Sequence, residues 1–212
     1  MIGEIGALVK SSFRTALLSS LLYLGGMTFG AGVFGALLGA TGHLFYWVSY
    51  RDVKAHGQTV LLLVALAALL GGLRELGVIR FRLPQPAKQV PRWWFRVLGP
   101  YKTSLLWGLG VGLFFSTMVQ HAVYYILAIW VLLSGDPVLG ACALGCYGFV
   151  QGMLLVIEVI GIKHGATHID GLLGTDRADF FFKMGGYFLI SLGLYLVSVI
   201  VLNHYTAMGG FV

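Results

Sequence analysis

Charge is what this chain has least of. Lys, Arg, Asp and Glu together supply 10% of its 212 residues, where an ordinary soluble domain carries about a quarter. So few charges cannot clothe a water-facing surface, and 58% of the residues are hydrophobic, with a mean hydropathy of +0.87. Cysteine is almost as scarce. The only two, Cys142 and Cys146, lie in one apolar run, which excludes the disulfide framework of small secreted domains. Of the five prolines, Pro84, Pro86, Pro91 and Pro100 share one polar stretch, so the long apolar runs are free of helix breakers. No phosphate-binding loop, nucleophile elbow or zinc-protease helix motif is present. The opening MIGEIGALVKSSFR lacks a basic start, an apolar core and a small-residue cleavage site, which argues against a cleavable signal peptide.

What the chain has is long apolar runs. A hydrocarbon core about 30 Å thick needs roughly 20 apolar residues to be spanned as a helix. Backbone polar groups there must pair within the segment. The reading is an all-α integral membrane protein, one transmembrane domain over residues 1–212, with helices at about 15–48, 58–78, 102–134, 137–162 and 184–203. Polar loops at 79–101 and 163–183 separate them. The central hairpin, Tyr101 to Ile162, turns on Ser134-Gly135-Asp136-Pro137. There Asp136 suits a helix cap and Pro137 the first helical turn. The first run is too long for one untilted crossing, and Gly25-Gly26 is a recognised kind of site for a bend. Thirty-one glycines fit helices that approach closely; Gly26 with Gly30, and Gly35 with Gly39, make two small-xxx-small pairs.

Charge distribution sets the orientation. Five crossings put the N-terminus and both long loops on one side, together with Lys10, Arg14, Arg74, Arg80, Arg82, Lys88, Arg92, Arg96, Lys102, Lys163, Arg177 and Lys183. Only Arg51 and Lys54 fall on the other. Basic loops stay cytoplasmic, so the N-terminus is expected in the cytoplasm and the C-terminus in the periplasm or outside, in a bacterial-type plasma (inner) membrane. Trp93, Trp94 and Arg96 read as an interfacial anchor. The net charge of +6 thus reports topology and, secondarily, contact with anionic lipid; no nucleic-acid partner is expected.

The stretch GLGVGLFFSTMVQHAVYYILAIWVLLSGDPVLGACALGCYGFVQGM, Gly108 to Met153, has a glycine-rich entry, a place for a helix break, a short turn and a glycine-containing helix. With LLYLGGMTFGAGVFGALLGATG and TVLLLVALAALLGGLRELGVIRF before it, it resembles the CcdA/DsbD transmembrane family. The resemblance covers roughly Leu17 to Leu202. It implies a scaffold from proteins that pass reducing equivalents across the membrane, to cytochrome c biogenesis or thiol repair. That family has six helices and a reactive cysteine pair, one in its first helix and one near the break in its fourth. Here the chain starts at what looks like the second helix. The break maps near Phe115, Ser116, Thr117 and Met118, where no cysteine stands. The resemblance therefore implies a shortened scaffold lacking the reactive pair.

Several residues could carry chemistry, each with a plainer alternative. Cys142 and Cys146 share a helix face and read either as a dithiol or as two small packed residues. Ser116, Thr117, Gln120, His121 and Glu158 form a candidate intramembrane polar site, since ionisable groups at membrane depth are costly. His121 is open to haem or chlorophyll ligation, proton relay or a helix–helix hydrogen bond; Glu158 can instead reach water or Lys163. His164, His168 and Asp170 could share a metal if helical, or form a solvated loop. The expectation is a non-enzymatic accessory or assembly subunit packed against other membrane subunits of a larger redox or electron-transport complex. The alternatives are a thiol reductant carrier for cytochrome c biogenesis and a small solute or metal transporter.

Overall fold

The computed structural model describes residues 12–49, 57–81, 94–114, 122–163 and 175–209. The described residues form six helices and no strand: α1 (Phe13–Ser49), α2 (Gly57–Glu75), α3 (Trp94–Gly112), α4 (Ala122–Ser134), α5 (Pro137–Lys163) and α6 (Thr175–Gly209). Four contain stretches long and apolar enough to cross a membrane: Phe13–Phe45 in α1, all of α2 and α5, and Lys183–Asn203 in α6. Helix α4 is apolar but shorter.

Helix α1 is the spine. Its 37 residues are about 55 Å long at 1.5 Å per residue, and it runs unbroken through Gly25-Gly26. Ser12 starts it by accepting the Thr15 N–H on its hydroxyl at 3.4 Å. The two small-residue pairs serve different neighbours. Gly26 and Gly30 meet α3: a Cβ at Gly30 would stand 2.8 Å from the Leu109 carbonyl, and one at Gly112 would stand 2.5 Å from that of Met27. Gly35 and Gly39 meet the start of α5, around Gly140 and Asp136-Pro137. Only residues without side chains allow backbones this close.

Contact order along each pair fixes direction. Gly26 opposes Leu105 and Leu109 while Gly30 opposes Leu109 and Leu113, so α3 runs parallel to α1. Gly39 opposes Asp136, whereas Leu24 lies against Gly152, so α5 runs antiparallel. Phe34 packs by Tyr124, and Gly42 by Leu132, so α4 also runs parallel to α1, directly beyond α3. Helices α2 and α6 form an antiparallel pair in which Gly72 meets Gly186 and Gly193 meets Leu69. That pair joins the rest through α4, where Val64, Ala68, Ala122, Ile126 and Leu189 share a buried cluster.

The helix ends follow from local chemistry. Asp136 caps α5 as its position in the turn implies, its Oδ1 accepting the N–H of Val138 at 2.8 Å and of Leu139 at 3.1 Å. Helix α2 ends at Glu75 and its closing turn passes through Gly77, whose φ of 77° suits glycine. The N–H of Val78 and of Gly77 then return to the carbonyls of Leu73 and Arg74, a Schellman ending. Helix α3 is interrupted at Gly99 (φ 73°, ψ 172°) and resumes at Pro100, and the Thr103 hydroxyl donates to the Trp94 carbonyl across the interruption at 3.0 Å. Pro100 thus begins a helical stretch rather than closing a loop, because the first turn does not need its N–H. Where the sequence reads one helix over 102–134, the structure describes two, ending at Gly112 and beginning at Ala122.

Candidate functional site

The site is the junction between α3 and α4. Helix α3 ends in a turn in which Phe114 has a φ of 63°, a costly conformation for an aromatic residue. The next described residue is Ala122, the first of α4. Its N–H is one of the orphan donors of a helix start. Glu75, the last residue of α2, accepts it on Oε1 at 2.5 Å. The carboxylate is buried at 8% exposure and lies at the positive end of the α4 dipole. Its other oxygen faces α6, where a Cβ at Gly185 would stand 2.6 Å from Oε2. One side chain therefore ties α2, α4 and α6 together beside the break.

Aromatic rings from α1, the end of α3, α4 and α5 close the other side. Phe114 stacks on Tyr124 at 5.4 Å and on Phe34 at 6.1 Å. Tyr125 meets Phe114 edge-on at 5.9 Å, and Tyr147 lies 5.4 Å from Tyr124. The Tyr147 hydroxyl accepts from Gln151 Nε2 at 3.1 Å. Tyr124 is 4% exposed, and its hydroxyl has no hydrogen-bond partner among the described residues. Phe34 lies near the midpoint of α1, so the cluster sits at mid-length of the spine.

Ser116, Thr117, Gln120 and His121 fall in 115–121, outside the described residues but joined in sequence to Phe114 and Ala122. Trp93, His164, His168 and Asp170 also lie outside the described residues, as does the Arg96 side chain. Trp94 opens α3 and is half-buried. Among the described residues, no three His, Cys, Asp or Glu side chains come together as a metal site. Glu158 is buried at 8% exposure between Leu155 and Val159, which pack against Ala16 near the start of α1. It stands eleven residues along α5 from Tyr147, about 16 Å at helical rise, and so is remote from the break. Cys142 and Cys146 are free thiols, both exposed. They share the outward face of α5 with Val138, Phe149, Val150 and Met153, while Gly140, Leu144 and Gly148 face inward.

Sequence reading missed Glu75. It follows Arg74 directly, at the junction of an apolar run and a basic loop, and its partner N–H is 47 residues away. A usable signal was GGLRELG, an acid one turn past two small residues on a helix otherwise without one.

Two relatives are similar to this chain. Over 182 residues, covering 84% of this chain and 59% of the relative, it is 26% identical to the methylamine utilization protein MauF of Methylobacillus flagellatus. Over 165 residues, covering 70% and 54%, it is 29% identical to the methylamine utilization protein MauF of Methylophilus methylotrophus. The chain spans little more than half the length of these curated relatives. No family model and no solved structure matches it.

Proposed function

We propose that this chain is a non-catalytic accessory or assembly subunit of a larger membrane complex in a redox pathway of amine utilization. In this reading it lies in the bacterial inner membrane on a CcdA/DsbD-like scaffold without the reactive thiol pair. It crosses five times, α3 and α4 together making one broken crossing, with the N-terminus cytoplasmic and the C-terminus outside. The helix directions support the count: α1, α3, α4 and α6 run one way, α2 and α5 the other. The similarity to methylamine utilization proteins supports the pathway.

The observation that carries the non-catalytic part is the placement of Cys142 and Cys146. Both stand on the outward face of α5, away from the rings at the break. A relay across the membrane needs a thiol reachable from inside the fold, and these two thiols stand on the outer face beside Val138, Phe149 and Val150. Broad apolar faces, such as Tyr187, Phe188, Leu194 and Tyr195 on α6, suit lipid and neighbouring subunits. The test is purification from the native membrane in mild detergent. Co-purification of a defined membrane partner at fixed stoichiometry is expected; a lone stable monomer that supports amine growth only through its own cysteines would refute the reading.

A further inference from the structure

We propose that the outward face of α1 holds one anionic phospholipid, its phosphate on Arg14 beside Lys102 and Lys163, and an acyl chain along Leu18, Leu21 and Gly25. Arg14, Leu18, Leu21, Gly25 and Phe29 follow one another at intervals of three or four residues, so they form one stripe along the helix. All five are exposed, and a Cβ built on Gly25 would meet nothing within 4 Å. Its neighbour Gly26 is packed against α3, so the gap at Gly25 lies at the edge of that seam. From Arg14 to Phe29 the stripe is about 22 Å long at helical rise. That is enough to follow an acyl chain through one leaflet of a hydrocarbon core about 30 Å thick.

Two further cations gather at the head of the stripe. Lys102 shares a face of α3 with Leu105, whose carbonyl lies against Gly26. Gly108 lies against Tyr23, and in that parallel register Lys102 comes level with Leu17, about 5 Å along α1 from Arg14. From α5, Lys163 Nζ stands 4.3 Å from the centre of the Phe13 ring, which holds it at the start of α1. Both lysines are exposed. The carboxylate at this end of α5, Glu158, is instead buried at 8% exposure. Cations at the helix end with apolar side chains and a gap below them match an amphiphile with a negative head. A guanidinium pairs a phosphate bidentately, and each basic group beside a bilayer gives about a fivefold preference for anionic lipid. A zwitterionic head would bring its own ammonium group against these cations, and a soluble anion would leave the stripe uncovered. The site rests on the reading of the chain as membrane-spanning.

Native mass spectrometry of the full chain in mild detergent, titrated with phosphatidylglycerol or with phosphatidylcholine of the same acyl chains, tests this. One phosphatidylglycerol is expected to bind with a preference of about tenfold or more over phosphatidylcholine. Arg14→Gln and Lys102→Gln should each lower that preference about fivefold. Lys183→Gln, on α6, which packs against α2, should change it little. Equal affinity for the two lipids, an unchanged preference in Arg14→Gln, or an equal loss in Lys183→Gln would overturn the proposal. So would a chain stripped of phospholipid that crosslinks to a second copy or to a partner subunit through Leu18→Cys, since the stripe would then have another occupant. Release of the chain from membranes by alkaline carbonate would overturn the membrane reading as well. A chain that stays in the membrane and binds both lipids equally overturns this site alone.

Discussion

Replacing Glu75 by Ala removes the acceptor that holds the first N–H of α4. The bond joins residues 47 apart in sequence and is buried, so water cannot readily take its place. Losing a hydrogen bond to a charged acceptor costs about 1.5–3 kcal/mol. Losing a carboxylate at a helix start costs a further 0.3–1 kcal/mol or so. Against these stands the relief of no longer burying a charge, which offsets part of the loss. The net expectation is about 2 kcal/mol, or roughly a thirtyfold increase in opening at the start of α4. Glu75→Gln should recover about half, since its amide oxygen still accepts. Hydrogen exchange at the Ala122 amide, followed in detergent on a peptide that starts several residues before it, reads this directly. Exchange in Glu75→Ala equal to that of the unaltered chain would refute the bridging role.

Other outcomes follow from the packing. Gly185→Ala sets a methyl 2.6 Å from Glu75 Oε2 and should raise exchange at Ala122 in the same way, as a second route to the same bond. Gly112→Val drives a branched side chain into the Met27 carbonyl and the Ala31 N–H, about 2.5 Å away; it should abolish the monodisperse folded peak on size-exclusion chromatography. Asp136→Ala removes the acceptor of two N–H groups and should lower stability by about 1 kcal/mol, measured as a lower thermal midpoint. Replacing Cys142 and Cys146 together by Ala should leave that midpoint nearly unchanged, within about 0.5 kcal/mol; a large drop would show that the thiols pack inside.

The apolar runs were legible because lipid demands them, and Asp136-Pro137 was legible because capping is local. Gly26 and Gly30 announced a close approach, though not that Gly35 and Gly39 would serve a different helix. Which way Cys142 and Cys146 face was hidden for a physical reason. Lipid and protein interior are both apolar, so the outward row Val138, Phe149, Val150 differs little in character from Leu144, Leu155, Val159 facing inward, and periodicity loses its contrast. Glu75 was hidden because its partner is tertiary. The pairing of a carboxylate ending one helix with an N–H starting another leaves no local pattern, unlike a capping box. The family resemblance suggested a break near Ser116, which lies outside the described residues; the described turn comes just before it, at Phe114. The sequence did not reveal that Glu75 would hold the first N–H of α4, nor that rings from α1, α4, α5 and the turn after α3 would stack together.

The central claim is that the chain crosses the membrane an odd number of times, α3 and α4 counting as one broken crossing. Paired reporters on the two ends, one active only in the cytoplasm and one only outside it, test this most directly. The account predicts a cytoplasmic signal from the N-terminal fusion and an external signal from the C-terminal fusion. Both signals from the same compartment would contradict it.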